Sequence, residues 1–178
     1  HASGPLGHGR SRPAAVRRVG RSGLAVGLRP VSPGRFRFYE VSNLARPGFE
    51  SRHNRIYWRL GDYLGFGMGA HSCVGPYRWQ NPSAWLDYSR MVLRGETPAR
   101  TFRDRRERLR ERILLGLRTR WGIPYRWLTR YHGSHDGWRT FLDEAVRQGW
   151  LRWDRERLRA TPSGWLRLMA LYEGLGVG

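Results

Sequence analysis

The sequence predicts a mixed α/β fold in which a few strands precede a mostly helical, winged-helix-like domain. Two observations support this prediction. Residues 36–80 contain three short stretches rich in aromatic and β-branched side chains, separated by glycine and proline, which is typical of strands and their connections. Residues 101–173 contain three helical patterns, a two-strand hairpin and a further helix, the order of a winged-helix domain. We therefore divide the chain into residues 1–35, 36–95 and 96–178.

Residues 1–35 form a compositionally separate segment. They contain no acidic residue, are rich in glycine, proline, serine and arginine, and have no periodic apolar pattern, so we predict that they are disordered. Two other interpretations stay open: a frame-shifted or mistranslated lead-in, and a mitochondrial transit peptide, although glycine and proline oppose the amphipathic helix that such a peptide needs. Because the chain begins at His1 rather than Met, we expect a fragment or the product of an incomplete reading frame.

Residues 36–95 combine strand patterns with one helix. Aromatic and β-branched composition predicts the strands, and Pro47 with Gly48 predicts a loop between the first two. A helix is predicted where apolar side chains recur at helical spacing before Gly95. The predicted elements are a strand at 36–42, a loop at 43–54, a second strand at 63–70 that enters a glycine-rich turn, a third strand at 77–80, and a helix at 82–94.

Residues 96–178 contain the elements of the winged-helix pattern. Thr101 and Asp104 resemble a capping box and predict the start of a helix whose apolar face extends to Leu117. Gly149 has the position of a C-cap, and Thr161 with the following proline has that of an N-cap. The remaining elements are a short helix at 124–131, a third helix at 136–148, hairpin strands at 150–153 and 157–160, and a last helix that reaches about residue 173.

The chain is strongly basic, with a formal charge of +19. Such a charge indicates nucleic acid or an anionic membrane as a partner, but all 33 basic residues are arginine, and coding bias towards arginine produces the same excess. A winged helix can place Arg139 and Arg147 of its third helix in a major groove. Asp136, Asp143 and Glu144 on that helix oppose phosphates. We therefore favour a packing module and expect no specific nucleic-acid partner.

Cysteine content and hydropathy limit the compartment and the chemistry. Cys73 is the single cysteine, so the chain has neither an internal disulfide nor a cysteine-based metal site, and a small buried side chain is a better interpretation than a haem thiolate. No apolar run approaches the roughly 18 residues of a membrane span. We predict a cytoplasmic protein without a transmembrane segment.

The segment HNRIYW at residues 53–58 is the first chemically suggestive motif. An imidazole binds metals or transfers protons near neutral pH, and neighbouring aromatic rings stack on planar ligands. His53, Tyr57 and Trp58 would therefore suit a porphyrin, with the histidine on the iron and the rings on the macrocycle. Spacing alone favours a simpler interpretation, which is a hydrogen-bonded loop with two buried aromatic side chains.

The glycine-rich segment GFGMGA at residues 65–70 is the second motif. Glycines allow a ligand to approach the backbone closely and permit positive φ angles. The segment follows a predicted strand, but no helix with an acidic partner comes after it, so it does not meet the requirements of a dinucleotide-binding fingerprint. We interpret it as a ligand-facing turn to which His71 and Ser72 add polar groups. No catalytic residue is predicted, because no nucleophile is paired with an orienting base.

A series of ordered motifs resembles the later part of radical S-adenosylmethionine proteins of the HemW type, the haem chaperones of the oxygen-independent coproporphyrinogen III oxidase-like family. The resemblance extends from about residue 36 to residue 172. True coproporphyrinogen oxidases resemble the same region but carry a different histidine motif, so HNRIYW favours the chaperones. The matching motifs are YEVSN (39–43), ARPG (45–48), HNRIYW (53–58), YLG (63–65), GMGAHS (67–72), ERILLGLR (111–118) and LRATPSG (158–164).

The resemblance implies the C-terminal strands of a partial (β/α) radical S-adenosylmethionine barrel, followed by the winged-helix-like domain. It also implies a [4Fe–4S] cluster on a Cys-x-x-x-Cys-x-x-Cys loop, S-adenosylmethionine on that cluster, haem as ligand and a haem-accepting partner protein. His53 becomes the candidate ligand of the haem iron, with neighbours that shape the site, and the glycine-rich turn is placed near S-adenosylmethionine. The resulting cofactor-binding candidates are His53, Asn54, Tyr57, Trp58, Gly67, Gly69, Ala70, His71 and Ser72.

The chain departs from the resembling family at the cluster. In that family the cluster loop lies upstream of the segment that begins at Phe36, and residues 1–35 do not match it. With one cysteine the chain cannot hold a cysteine-ligated [4Fe–4S] cluster, so we expect no radical chemistry from it alone. We also predict that residues 36–95 are marginally stable alone, because open strand edges remain, and that the winged-helix part folds independently.

Three hypotheses therefore remain. The first is a truncated HemW-like haem-binding protein, the second an arginine-rich winged-helix module that binds nucleic acid, and the third an inactive fragment of an interrupted gene. Exposed strand edges also allow self-association, but the sequence identifies no specific interface and leaves the oligomeric state open.

Overall fold

Residues 36–178 are described by a computed structural model, and their elements alternate between short strands and helices. In chain order they are β1 (Arg37–Phe38), β2 (Leu44–Ala45), α1 (Arg52–Trp58), β3 (His71–Val74), β4 (Tyr77–Gln80), α2 (Trp85–Leu93), β5 (Thr101–Phe102), α3 (Arg105–Leu117), β6 (Ile123–Pro124), α4 (Tyr125–His132), α5 (Gly137–Arg147), β7 (Leu151–Asp154), β8 (Arg157–Ala160), α6 (Pro162–Trp165) and α7 (Leu168–Gly174). The predicted disorder of residues 1–35 lies outside the described residues.

The strands form three small sheets, with the orders β1-β2, β3-β4-β5 and β6-β8-β7. Every pairing between them is antiparallel. The mixed α/β class is therefore confirmed. Within residues 36–178 no parallel strand ladder forms, so these residues alone do not build a barrel wall.

The C-terminal region has the predicted winged-helix order. Helices α3, α4 and α5 precede the β7–β8 hairpin, and β6 adds a third strand by pairing Ile123 with Leu158. The hairpin turn contains Arg155 at a φ of 53°, a conformation that few non-glycine residues adopt. Antiparallel pairing of β8 with β6 holds the β7–β8 hairpin, which is the wing of the domain, against the helices.

The hydrophobic core lies almost entirely in this C-terminal region. Its buried side chains come from α3 to α7 and from the sheet between them, and Phe38 and Val41 of the first segment pack against it. The fully buried members include Ile113, Leu117, Ile123, Leu128, Ala145, Leu158, Leu171, Leu175 and Val177. A core confined to these residues supports independent folding of the winged-helix part, which stays a prediction.

The LRATPSG motif forms the N-terminal cap of α6 and packs its backbone closely against Trp150. Thr161 caps α6, accepting a hydrogen bond from the Gly164 N–H at 3.2 Å, and its hydroxyl contacts the Gly149 carbonyl at 2.6 Å. A Cβ at position 164 would lie 2.0 Å from the Trp150 carbonyl oxygen, so only glycine fits there. The predicted N-cap is confirmed. The single last helix is wrong, because the chain breaks into α6 and α7 at residues 166–167.

The predicted start of α3 is also wrong. Asp104 is the N-cap itself and accepts a hydrogen bond from the Glu107 N–H, while the Glu107 carboxylate accepts one from the Asp104 N–H. This reciprocal pair is a complete capping box. Thr101 lies instead in β5, which pairs with β4. The sequence contains two overlapping cap patterns, and pairing with β4 removes Thr101 from the helix.

Two predicted strands are shorter than expected. Of residues 36–42, only Arg37 and Phe38 form a strand, followed by an isolated bridge from Glu40 to Thr119. Residues 64–70 are not a strand, and only Tyr63 forms a bridge, to Cys73. The helix predicted at 82–94 begins later, at Trp85, and the strand at 77–80 is confirmed.

Candidate functional site

The YEVSN motif is a buried connection between the first segment and the winged-helix core. The Glu40 carboxylate is fully buried and accepts hydrogen bonds from the Ser42 N–H at 2.9 Å and from the Asn43 amide. The backbone continues the connection, because the Val41 N–H donates to the Arg118 carbonyl at 2.9 Å. These bonds fix the position of the chain that leads into α1.

Helix α1 carries the whole HNRIYW motif, which corrects the predicted loop. The Ser51 side chain accepts a hydrogen bond from the Asn54 N–H at 3.2 Å and so caps the helix. Because residues four apart lie on the same face of a helix, His53 falls with Tyr57, and Asn54 with Trp58. The motif therefore presents two neighbouring faces rather than one cluster around a ligand.

The first face joins a histidine to two tyrosine rings that meet edge to face. His53 Nε2 and the Tyr57 hydroxyl lie 2.8 Å apart, and their rings meet edge to face with centroids 4.8 Å apart. The Tyr57 ring then meets Tyr63 at 4.5 Å in a second edge-to-face contact. His53 is exposed to solvent. An exposed imidazole oriented by a phenol, beside aromatic walls, is able to bind a metal or a planar ligand.

The second face is used for internal packing. The Asn54 amide donates to the Tyr39 hydroxyl at 3.1 Å, which links this face to the YEVSN motif. The Trp58 ring lies under the Arg118 guanidinium, 5.5 Å from its centroid. Asn54 and Trp58, both predicted to shape the haem site, therefore face away from the His53–Tyr57 pair.

The glycine-rich loop is held by two side chains that the sequence did not single out. Asn81 is buried, and its amide donates to the Gly67 carbonyl at 2.9 Å and the Gly65 carbonyl at 3.3 Å. The Gly67 N–H donates to the Tyr88 hydroxyl at 3.1 Å. A buried Asn downstream of a glycine run is the signal that could have indicated this support. The predicted site residues Gly67 and Gly69 have positive φ values of 96° and 65°.

Close backbone approach explains Gly65. A Cβ at this position would lie 2.2 Å from the His71 carbonyl oxygen, so the loop cannot fold back on β3 with any other residue. The Gly65 N–H donates to the Ser72 hydroxyl at 3.0 Å. Ser72 is therefore a buried structural residue, whereas the neighbouring His71 is exposed. Both lie in strand β3 rather than in the predicted turn.

A surface groove of about 500 Å³ brings several predicted residues together. Helix α1 supplies Tyr57, and the loop with the start of β3 supplies Gly69, Ala70 and His71. The side chains that complete the lining include Tyr63, Phe66 and Arg78. The structure thus joins both sequence motifs at one groove. Gly67 and Ser72 support its loop, and His53 reaches it through Tyr57.

The loop also carries an apolar rim. Its even-numbered residues point outwards, and Leu64, Phe66 and Met68 are 59%, 85% and 50% exposed. A tyrosine-lined groove with exposed apolar side chains and one arginine suits a large planar ligand with anionic groups.

Cys73 is buried in an ionic network and is not free to bind iron. The Arg103 guanidinium donates to its Sγ at 3.1 Å and pairs with the Glu111 carboxylate. Burial lowers the pKa of Arg103, but the bond to Cys73 and the charge of Glu111 outweigh it and raise that pKa overall. Among residues 36–178 no three metal-binding side chains cluster. The interpretation of Cys73 as a buried side chain is confirmed.

The residues predicted to meet DNA are already paired on their own helix. Arg139 contacts Asp136 at 2.6 Å, and Arg147 contacts Glu144 at 2.5 Å, each pair within one turn of α5. These carboxylates neutralise positive charge on the helix that would otherwise attract the phosphates of DNA. Separately, none of the helices described here has the length and apolar character of a membrane span.

Known proteins resemble this chain in both sequence and structure. Residues 104–167 match the HemN C-terminal domain family. Heme chaperone HemW of Mycobacterium tuberculosis is 34% identical over 146 residues, covering 79% of this chain and 34% of that protein. HemW of Escherichia coli is 32% identical over 149 residues, covering 76% and 36%. A mouse mitochondrial radical S-adenosyl methionine domain-containing protein 1 is 32% identical over 146 residues, covering 72% and 33%.

A solved structure has the same fold. Coproporphyrinogen III oxidase (HemN) from Escherichia coli, a radical SAM enzyme, aligns with a TM-score of 0.63 at 18% identity. The alignment covers 86% of this chain and 40% of that chain. The chain spans about a third of the length of the HemW relatives that it matches.

Residues 104–167 match the HemN C-terminal domain, and the fold of the chain is similar to that of HemN. The relatives that cover most of the chain include heme chaperones of the HemW type, so the chain is consistent with a C-terminal fragment of a HemW-type protein.

Proposed function

We propose that this chain is a haem-binding segment of a HemW-type chaperone, with the porphyrin at the groove between α1 and the glycine-rich loop. The observation that carries the proposal is the pairing of exposed His53 with Tyr57 beside that groove. Tyr57 and Tyr63 supply aromatic walls, and Phe66 supplies apolar surface that is otherwise exposed to water. Burying this surface under a macrocycle is favourable at roughly 25 cal/mol per Å².

His53 is the proposed ligand of the haem iron. Its Nε2 contacts the Tyr57 hydroxyl, so ligation through Nε2 would replace that hydrogen bond with a bond to iron. His71 lines the groove itself and is also exposed, so it is the alternative ligand. Arg78 lies at the same groove and would pair with a propionate of the porphyrin.

The residues present do not fit a [4Fe–4S] cluster. The one cysteine of the chain, Cys73, is buried and accepts a hydrogen bond from Arg103. The proposed function is therefore binding and presentation of haem, without radical chemistry by this chain. S-adenosylmethionine near Gly69 and Ala70, a haem-accepting partner protein and a cytoplasmic location stay predictions.

A haem titration tests the proposal. The whole chain is titrated with haemin, and the Soret band is followed for the wild type, His53→Ala and His71→Ala. We expect saturable binding and, for His53→Ala, at least a tenfold loss of affinity with a shifted Soret band. His135→Ala is the matched control, because His135 is exposed and lies in the turn before α5, away from the groove.

Two outcomes oppose the proposal. If the wild type shows no saturable binding of haemin, the proposal that this chain binds haem is refuted. Equal spectra and affinities for the His53 and His135 variants would remove His53 as ligand. A spectrum altered only by His71→Ala would transfer the ligand role to β3.

A further inference from the structure

A second cavity, of about 380 Å³, lies between α1, α3 and the β6–β8 strands and has aromatic walls. Three tryptophans line it: Trp58 from the HNRIYW motif, Trp121 after α3, and Trp127 from α4. The cavity faces a different side of α1 from the His53–Tyr57 pair, and its lining shares no residue with the groove. It is therefore separate from the proposed haem site.

The same cavity is strongly positive. Its lining contains five arginines and, among the described residues, no acid: Arg55, Arg59, Arg112, Arg157 and Arg159. Burial, followed by the charges of Arg159 and Arg126, lowers the pKa of Arg157, as expected where cations crowd together. Asp154 pairs with Arg159 from outside the lining. One carboxylate does not balance five guanidinium groups.

Several donors at this cavity are unused. The Arg55 Nε, Arg159 Nε and Trp58 Nε1 atoms are buried and have no hydrogen-bond partner among residues 36–178. A buried donor without a partner destabilises the protein, and an acceptor that enters the cavity would remove that cost. Arg157 is different, because it donates to the Trp121 and Gly122 carbonyls at 2.8 Å and stabilises the strand geometry.

The Arg55 guanidinium already stacks on Trp121, 5.1 Å from the ring centroid. Arginine beside tryptophan is a recurring way to hold a flat, negatively charged ligand, because the rings stack on its planar part and the guanidinium groups bind its anionic oxygens. The volume is within the range of small-molecule sites, which begins near 300 Å³.

We propose that this cavity binds a phosphorylated nucleoside, with the base between the tryptophans and the phosphate on the arginines. Stacking accounts for the aromatic walls, and the phosphate oxygens account for the unpaired positive charge and the unused donors.

Isothermal titration calorimetry on the whole chain tests the site with adenosine 5′-monophosphate, ribose 5-phosphate, adenosine and inorganic phosphate. We expect adenosine 5′-monophosphate to bind at least fivefold more tightly than each of the other three, because only it has both base and phosphate. The variant R59Q/R112Q removes two exposed cavity arginines whose side chains take part in none of the ion pairs and hydrogen bonds found within residues 36–178. We expect it to weaken binding about tenfold.

The matched control is R130Q/R152Q, which removes two exposed arginines outside the cavity and changes the net charge equally. It should bind like the wild type. Equal weakening by both double variants would show a general charge effect and overturn the proposal. So would ribose 5-phosphate binding as tightly as adenosine 5′-monophosphate, or no binding of the latter at millimolar concentration. His53→Ala should leave this binding unchanged, which separates the site from haem.

Discussion

Replacing Glu111 with glutamine tests the buried network that joins β3 to α3. Glu111 pairs with Arg103, whose side chain is 7% exposed and also donates to Cys73 at 3.1 Å. The Glu111→Gln variant retains an acceptor of the same shape but removes the negative charge. Arg103 then stays buried without a counterion, and its environment also includes Arg78, 3.5 Å from Glu111.

The magnitude follows from burial. Breaking a fully buried ion pair costs about 3–5 kcal/mol, but the Glu111 side chain is 23% exposed and glutamine still accepts a hydrogen bond. We therefore expect a loss of about 2 kcal/mol in the free energy of unfolding. For a chain of this size that corresponds to a fall in Tm of about 4–8 °C.

Urea and thermal unfolding of the whole chain, followed by circular dichroism, measure the effect. Glu96→Gln is the control, because the Glu96–Arg94 pair is exposed on both sides and should contribute less than about 1 kcal/mol. The difference between the two variants should persist at high salt, since buried charges are screened little. A Glu111→Gln variant that unfolds like Glu96→Gln would refute the buried-charge reasoning.

Three further predictions concern the half-buried His132, the glycine-rich loop and the proposed haem site. Burial, with smaller effects of nearby charges, lowers the pKa of His132. Protonation of this histidine therefore favours the unfolded chain. The stability that neutral His132 contributes should be fully present above its unfolded pKa of about 6.5 and should be lost as the pH falls below that value. Glutamine at this position should reduce that slope in unfolding measured from pH 8 to 5, and an unchanged slope would contradict the assignment. Gly65→Ala should displace the loop from the His71 carbonyl and lower stability by at least about 1 kcal/mol, whereas a neutral result would show that the loop moves freely. Tyr57→Phe frees His53 Nε2 from a hydrogen bond worth about 1 kcal/mol, so haemin should bind about fivefold more tightly if Nε2 ligates iron, and weaker or equal binding would exclude that atom.

The secondary structure that the sequence predicted well depends on local signals. Thr161 before a proline, and Gly149 at a φ of 68°, mark the ends of elements where the structure has them. The predictions failed where a distant partner decided the outcome. Thr101 looked like a helix cap but pairs with Arg78 of β4, and residues 64–70 had strand composition but no neighbouring strand.

The candidate site follows the same division. Sequence motifs identified Tyr57, Gly69, Ala70 and His71, which the fold brings to one groove. They did not reveal that HNRIYW is helical. In a helix the 3.6-residue period directs consecutive side chains to different sides, whereas a loop of the same composition would leave their directions open. Tyr63 and Asn81 were missed as site residues because their roles depend on contacts across the chain.

The sequence by itself determined the family resemblance, the α/β class, the winged-helix order and the absence of cluster-binding cysteines, because ordered motifs and residue counts need no coordinates. Only the tertiary structure decided which motif residues meet. It directs Tyr57 into the groove and Trp58 into an arginine-lined cavity, although they are adjacent in sequence. The physical reason is that a helix separates neighbouring side chains by about 100°, and packing against α3 and the Gly65 loop then sets what each side chain contacts.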